Sequence, residues 1–143
     1  MTNVVLDTNC LLMSLSRRSL YYPVWRNLID GNYTLCYSNE ILAEYEEILT
    51  WKMGRRIAGN IISAILNLPN TRQIQVYFHL QMISADPDDN KFVDCAFKAN
   101  AQFIVTEDRH YDVLNEVNFP KIDVIGIDDF LKLLQQKQLN QDN

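Results

Sequence analysis

The chain has few of the residues that build soft-ligand metal sites: three cysteines and two histidines in 143 residues. Cys10, Cys36 and Cys95 are widely spaced and form no Cys-x-x-Cys pair, and the histidines His79 and His110 lie far apart. This pattern argues against a structural zinc site. Because each cysteine lies among apolar residues, we predict buried free thiols in a reducing compartment rather than disulfides.

Long hydrophobic runs and an excess of positive charge are also missing. No apolar run approaches the roughly 18 residues of a membrane span, and the N-terminus has neither the basic start nor the cleavage site of a secretory leader. We therefore expect no membrane segment and a cytoplasmic protein. With 13 Lys plus Arg against 18 Asp plus Glu, the net charge is −5. Such a chain does not hold nucleic acid by bulk charge, but an enzyme with acidic residues around a divalent cation stays possible.

What is present indicates one domain of the α/β class. The length fits a single domain, and 48% hydrophobic residues are enough for a core. No internal repeat or low-complexity segment occurs. We place the domain at residues 1–137 and a polar C-terminal tail at residues 138–143.

Hydrophobic patterns predict short strands that alternate with helices. Strands are predicted at residues 4–6, 34–37, between 73 and 83, at 102–106 and at 121–126. Helices are predicted at residues 9–16, 23–30, 39–50, 57–68, after residue 90, around 111–117 and from 128 onward. This alternation implies a three-layer α/β/α domain whose central sheet of about five strands is mostly parallel.

Asp7 follows the first strand, which the apolar run Val4-Val5-Leu6 predicts to be buried on both faces. In open parallel sheets, ligands bind at the carboxyl ends of strands. A carboxylate at this edge is costly to desolvate unless something positive binds it. Asp7 is therefore a candidate for handling a metal or a phosphate, and the simpler alternative is a helix N-cap.

Further acidic residues fall at comparable places along the chain. Glu44 lies on the helix after the second strand, Asp88 and Asp89 precede the helix before the fourth strand, and Asp108 follows the fourth strand. Singly, each could be a cap, a turn residue or solvated surface. Together they can converge at one edge of a parallel sheet, where Mg²⁺ or Mn²⁺ would relieve their mutual repulsion and support phosphoryl chemistry.

The chain resembles the PIN-domain nucleases, and most closely their VapC-like toxin components of toxin–antitoxin modules. The segments that carry the resemblance are Val4-Val5-Leu6-Asp7-Thr8-Asn9, Leu42-Ala43-Glu44-Tyr45, Asp86-Pro87-Asp88-Asp89-Asn90-Lys91-Phe92-Val93-Asp94-Cys95-Ala96 and Ile104-Val105-Thr106-Glu107-Asp108. The resemblance spans essentially the whole chain. No single motif in it is specific, and it is the order and spacing of the motifs that carry it.

This resemblance implies a Mg²⁺- or Mn²⁺-dependent endoribonuclease that cleaves RNA with a metal-activated water. Its metal ligands would be Asp7, Glu44, Asp89 and Asp108. Thr106 would orient the carboxylate of Asp7. Asn9 would lie in the layer around the metal ligands without binding the metal itself. The partners implied are an RNA substrate and a cognate antitoxin that occupies the site, and homodimers are common in the group.

Several points stay open at this stage. Asp88 and Asp94 compete with Asp89 for the third metal position, although Ala96, seven residues after Asp89, favours Asp89. The basic residues that could face a substrate are Arg17, Arg18, Lys52, Arg55 and Arg56, and each could equally be solvated surface. A PIN-like module that binds RNA or a partner without catalysis is the alternative function. A response-regulator receiver and a haloacid-type phosphatase fit poorly, because each needs a second Asp close to the first, and the phosphatase would have it where this chain has Asn9.

Overall fold

The computed structural model describes residues 2–118 and 120–142, with side chains up to residue 137. The strands are β1 Asn3–Leu6, β2 Thr34–Tyr37, β3 Thr71–Gln73, β4 Phe103–Val105 and β5 Val124–Ile125. The α-helices are α1 Thr8–Met13, α2 Tyr22–Ile29, α3 Asn39–Met53, α4 Arg55–Asn67, α5 Asn90–Ala99 and α6 Ile127–Asp142. Pro87–Asp89 and Arg109–Glu116 form 3-10 helices.

The five strands form one sheet in the order β3-β2-β1-β4-β5, and all four pairings are parallel. The central strand β1 is fully buried at Val4, Val5 and Leu6. It pairs with β2 on one side and with β4 on the other, where Leu6 lies opposite Val105. The chain order of the strands reverses between β1 and β4, so the crevice at their carboxyl ends is where a ligand is expected.

Helices cover the sheet in the predicted three-layer arrangement. Helix α5 packs across β1, β2 and β4, while α2 packs against α6. Tyr33, at the start of β2, meets Phe130 of α6 edge-to-face with ring centroids 5.1 Å apart. The predicted α/β/α fold is confirmed, with a sheet that is parallel throughout.

Helices α3 and α4 form a hairpin whose ends follow local rules. The side chain of Ser38 caps α3 by accepting a hydrogen bond from the Ile41 N–H at 3.3 Å. Gly54 separates the two helices with φ of 86°, a conformation that glycine adopts without strain. Local chemistry thus accounts for both the start of α3 and the break between the two helices.

The third predicted strand was placed wrongly. Strand β3 lies at Thr71–Gln73, and residues 74–86 form no regular structure. Burial nevertheless alternates along this segment, where Ile74, Val76 and Phe78 are turned inward and Gln75 and Tyr77 outward. The alternation therefore reports an extended chain buried on one side. Within the described residues its contact with β2 ends where the Ile74 N–H donates to the Tyr37 carbonyl at 2.7 Å, so no further ladder forms.

Smaller differences concern element ends and type. Helix α1 stops at Met13, and the predicted helix around Tyr111 is a 3-10 helix. The three cysteines are buried and free, as predicted. Helix α6 continues through residues 138–142 of the predicted polar tail, and Asn143 lies outside the described residues. In the described part of the chain, no helix is long and apolar enough to cross a membrane.

Candidate metal centre

Asp7 lies at the carboxyl end of β1, where it is 8% exposed. Its N–H continues the sheet by donating to the Val105 carbonyl at 3.0 Å. Its carboxylate oxygen Oδ2 accepts a hydrogen bond from Thr106 Oγ1 at 2.7 Å. Burial raises the pKa of Asp7, and the charges of Glu44 and Asp108 raise it further, while the Thr106 hydroxyl lowers it. A carboxylate so placed gains most from a nearby cation.

Glu44 reaches the same edge from α3. That helix is fixed to the end of β1 by the buried Tyr45, whose hydroxyl donates to the Leu6 carbonyl at 2.5 Å. Both oxygens of Glu44 are engaged. Oε2 accepts a hydrogen bond from Thr8 Oγ1, and Oε1 lies 2.8 Å from the ammonium nitrogen of Lys91 on α5.

Asp108 begins the 3-10 helix that follows β4. It caps this helix by accepting a hydrogen bond from the His110 N–H at 2.9 Å, so the predicted role of turn residue also holds. Its own N–H donates to Thr106 Oγ1 at 3.1 Å. Thr106 therefore links the backbone of Asp108 to the carboxylate of Asp7.

Asp89 ends the 3-10 helix before α5 and is the most perturbed carboxyl of the group. Its Oδ2 is buried and accepts no hydrogen bond from any residue within the described ranges. The His110 ring is near, with its Nδ1 3.6 Å from Asp89 Oδ2. Burial raises the pKa of Asp89 to about 6, together with the charges of Asp86, Asp108 and Asp7, while His110 lowers it. A buried carboxylate oxygen without a hydrogen-bond donor calls for an explanation, and a bound cation is one.

The four predicted carboxylates are therefore brought together at the β1–β4 switch point. The negative charges of Glu44, Asp89 and Asp108 act on Asp7 or are acted on by it, and Asp108 also acts on Asp89. They come from four separate elements of the fold. Their convergence is a property of the parallel sheet, which gathers the carboxyl ends of its strands at one edge.

The competing acidic residues lie differently. Asp94 is buried on α5, and its Oδ1 accepts a hydrogen bond from the Leu80 N–H at 3.0 Å while its Oδ2 lies 3.4 Å from His79 Nδ1. This carboxylate fastens the irregular segment 74–86 to the domain. Asp88 is exposed and its N–H donates to Asp86 Oδ1. Asn9 is exposed on the first turn of α1.

Four residues at the site were not singled out from the sequence: Thr8, Asp86, Lys91 and His110. Thr8 and Lys91 stand beside Asp7 and Asp89 in the quoted motifs, and that adjacency was the only available signal. The predicted basic residues Arg17, Arg18 and Lys52 are exposed elsewhere, with the Lys52 ammonium 4.3 Å from the ring centroid of Trp51.

The donor set fits a hard divalent cation, because it consists of carboxylate oxygens without cysteine. The tightest group in the described residues is Asp86, Asp89 and His110, whose ligand atoms all lie within 4.8 Å of one another. Among the described residues, the Asp7, Glu44, Asp89 and Asp108 set does not reach that closeness. Hard divalent cations such as Mg²⁺ are often held by one or two carboxylates and keep several waters, so the four carboxylates need not all contact one ion.

The fold is similar to that of several small α/β domains in solved structures. A chain of VapBC2 from Rickettsia felis, bound to a DNA fragment from their promoter, is similar with a TM-score of 0.61 at 15% identity, over 87% of this chain and 98% of that chain. A chain of DNA-bound VapBC from Salmonella typhimurium gives a TM-score of 0.61 at 16% identity, over 89% and 99%. Mycobacterium tuberculosis VapC20, a Sarcin-Ricin loop cleaving toxin, gives 0.55 at 15% identity, over 76% and 92%.

The sequence itself identifies the family. Residues 3–110 match the family model described as PIN domain, and the chain belongs to that family. The match includes all four converging carboxylates and ends at His110. A comparison with curated proteins gave no match.

Proposed function

We propose that this PIN-domain protein is an endoribonuclease that depends on Mg²⁺ or Mn²⁺ and acts as the toxin of a toxin–antitoxin pair. The observation that carries the proposal is the convergence of Asp7, Glu44, Asp89 and Asp108 at the β1–β4 switch point, with Asp89 Oδ2 buried and unbonded. Carboxylates in this state repel each other without a cation, which is the arrangement expected of a site built for one.

In this proposal the four carboxylates hold the cation, and it would supply the activated water and the charge neutralisation of phosphodiester hydrolysis. Thr106 orients the Asp7 carboxylate by donating to its Oδ2, and this hydrogen bond lowers the pKa of Asp7 against the effect of burial. Thr8 orients the Glu44 carboxylate by donating to its Oε2. His110, whose Nδ1 lies within 3.6 Å of both Asp89 and Asp108, fixes the outer side of the site.

The structural neighbours support the proposed role and partners. Two of them come from VapBC complexes and the third is a Sarcin-Ricin loop cleaving toxin. By this likeness we propose a cognate antitoxin as partner and RNA as substrate. We also propose a homodimer, which is common in the VapC-like group that the sequence resembles, and the cytoplasm as location.

The test is cleavage of single-stranded and structured RNA by the purified protein. We expect products with Mg²⁺ or Mn²⁺, none in excess chelator, and none from Asp7→Asn at any cation concentration. Asp88→Asn is the matched control, because Asp88 is exposed and lies next to a ligand without facing the cluster. Full cleavage in chelator, or wild-type activity in Asp7→Asn, would refute the mechanism.

The alternative is a PIN-like module that binds RNA or a protein partner without catalysis. One observation favours it: Lys91 already neutralises Glu44 at 2.8 Å, so part of the acidic edge is compensated without a cation. Under this alternative, RNA or a partner binds equally well with and without Mg²⁺, and no products appear.

A further inference from the structure

Lys91 is an almost buried cation inside an otherwise acidic site. Its side chain is 12% exposed, and its ammonium nitrogen lies 2.8 Å from Glu44 Oε1. The same nitrogen is 5.6 Å from the ring centroid of Phe92. A lysine held this far from solvent needs its carboxylate partner. Glu44 therefore fixes Lys91 in place as much as Lys91 fixes Glu44.

The pairing competes with a divalent cation for the same carboxylate. With Thr8 on Oε2 and Lys91 on Oε1, both Glu44 oxygens are taken in this state. A cation bound by Glu44 must share or replace one of these donors. The Lys91 ammonium is the one it repels, because both carry positive charge. Thr8, as a neutral hydroxyl, can stay.

The fold provides a place for the displaced ammonium. Lys91 also lines a cleft of about 280 Å³ at the carboxyl ends of β2 and β3, together with Ser38, Asn39, Tyr77, His79 and the two acidic residues Glu40 and Asp94. The cleft therefore adjoins the acidic edge, with Lys91 at the junction. Because Glu40 and Asp94 are also acidic, Lys91 and His79 are the groups of this lining that can carry positive charge toward a phosphate.

We propose that Lys91 binds a phosphate of the substrate when a divalent cation is bound at the site. Without the cation Lys91 is paired with Glu44, and it is released when Glu44 binds the cation instead. The inference rests on the proposed nuclease function and names how the same site engages the backbone of its RNA. In the released state the ammonium contacts a phosphate oxygen of the bound strand from the cleft side. Substrate binding and cation binding thereby become coupled through one side chain.

The first measurement is the cation concentration that gives half of the maximal rise in melting temperature. Lys91→Met removes the competitor, so we expect this concentration to fall by at least about fivefold, the lower end of ordinary coupling between linked sites. Lys91→Arg keeps the positive charge and should stay near the wild type. Lys98→Met, at an exposed position of the same helix, is the matched control and should change nothing.

The second measurement separates phosphate binding from mere charge compensation. For a single strand, each lost phosphate contact reduces the slope of log affinity against log salt by about 0.7. With cation, the salt slope of kcat/KM for Lys91→Met should be smaller than that of the wild type by this amount. In chelator, the salt slope of RNA binding should be the same for both proteins, because Lys91 then stays with Glu44.

If the half-maximal cation concentration is unchanged or raised in Lys91→Met, Lys91 does not compete with the cation for Glu44. If Lys91→Met changes the salt slope equally with and without cation, the cation does not release Lys91. If the wild type cleaves RNA with Mg²⁺ but Lys91→Met matches it in both measurements, this inference alone fails. If the wild type neither cleaves RNA nor responds to the cation, the proposed function fails and this inference fails with it.

Discussion

The Thr106 hydroxyl and the Asp7 carboxylate, 99 residues apart in the chain, form a buried hydrogen bond of 2.7 Å that joins the ends of β4 and β1. The hydroxyl oxygen of Thr106 also accepts a hydrogen bond from the Asp108 N–H at 3.1 Å. One threonine thus sets the position of two of the four carboxylates. Its hydroxyl also offsets part of the desolvation that raises the pKa of Asp7.

Replacing Thr106 by valine should therefore destabilise the protein and impair the site. The change removes a buried donor to a charged acceptor, which costs about 1–3 kcal/mol of unfolding free energy. Urea unfolding at pH 7 measures the loss. Thr106→Ser keeps the hydroxyl and should lose less than half as much. Equal stability of valine and serine variants would show that the hydrogen bond contributes little.

Amide substitution of each carboxylate should separate metal ligands from helix caps. Without cation, Asp7→Asn, Glu44→Gln, Asp89→Asn and Asp108→Asn each relieve repulsion, and we expect most of them to be as stable as the wild type or more so. Glu44→Gln is the exception, because it leaves Lys91 unpaired. Excess Mg²⁺ should stabilise the wild type by roughly 1–3 kcal/mol and each variant by less. Melting curves with and without Mg²⁺ measure this. If the Mg²⁺-induced rise in melting temperature is unchanged in all four variants, the four carboxylates do not form one metal site.

The acidic site should make the metal-free protein less stable as pH rises. Burial raises the pKa of Asp89 from its ordinary value of 3.8 to about 6, so between these values the folded state holds more protons than the unfolded state. The free energy of unfolding therefore falls with rising pH in this window. Asp7, whose pKa is also raised, acts in the same direction. Melting temperatures in chelator at pH 4.5, 5.5 and 7 test this, and Asp89→Asn should flatten the profile.

Asp94 should behave as a structural residue. Asp94→Ala leaves the Leu80 N–H without its acceptor and should cost about 1–3 kcal/mol, while the Mg²⁺-induced rise in melting temperature persists. Asp94→Asn retains an acceptor oxygen and should cost less. If Asp94→Asn loses the Mg²⁺ response instead and Asp89→Asn keeps it, Asp94 is the third ligand.

Self-association through helical surface away from the acidic edge stays a prediction. The apolar region 21–28 offers little contact surface, because Val24, Trp25 and Leu28 are buried in the chain's own core. Leu20, next to that region, is 71% exposed and is the better contact. Sedimentation at tens of micromolar, a range of ordinary weak affinities, should show a dimer that Leu20→Glu weakens. A monomer in the wild type contradicts it.

The elements that local pattern alone specifies were predictable. Strand β2 was found at its predicted residues, and Ser38 and Gly54 bound α3 as their chemistry requires. The position of β3 could not be predicted in this way. Alternation of apolar residues reveals burial on one side, but it does not reveal which segment pairs with β2. That choice depends on Thr71, Arg72 and Gln73 lying opposite β2 in the folded chain.

The candidate site divides in the same way. Carboxylates at strand ends could be expected to converge, because parallel topology gathers those ends at one edge. The Lys91–Glu44 pair could not be foreseen, since it joins two helices 47 residues apart through side chains whose directions only packing decides. The buried, unbonded oxygen of Asp89 has no sequence signal at all.

The strand order decides how late in synthesis the four carboxylates can come together. Because β1 lies between β2 and β4, the first strand to be synthesised waits for residues 103–105 before its second edge is covered. Pairings of such long sequence separation fold slowly, since loop closure precedes the contacts that reward it. A nascent chain shorter than 108 residues lacks the last carboxylate and cannot assemble the centre. Under the proposed function, synthesis itself therefore delays RNA cleavage until the domain is nearly complete.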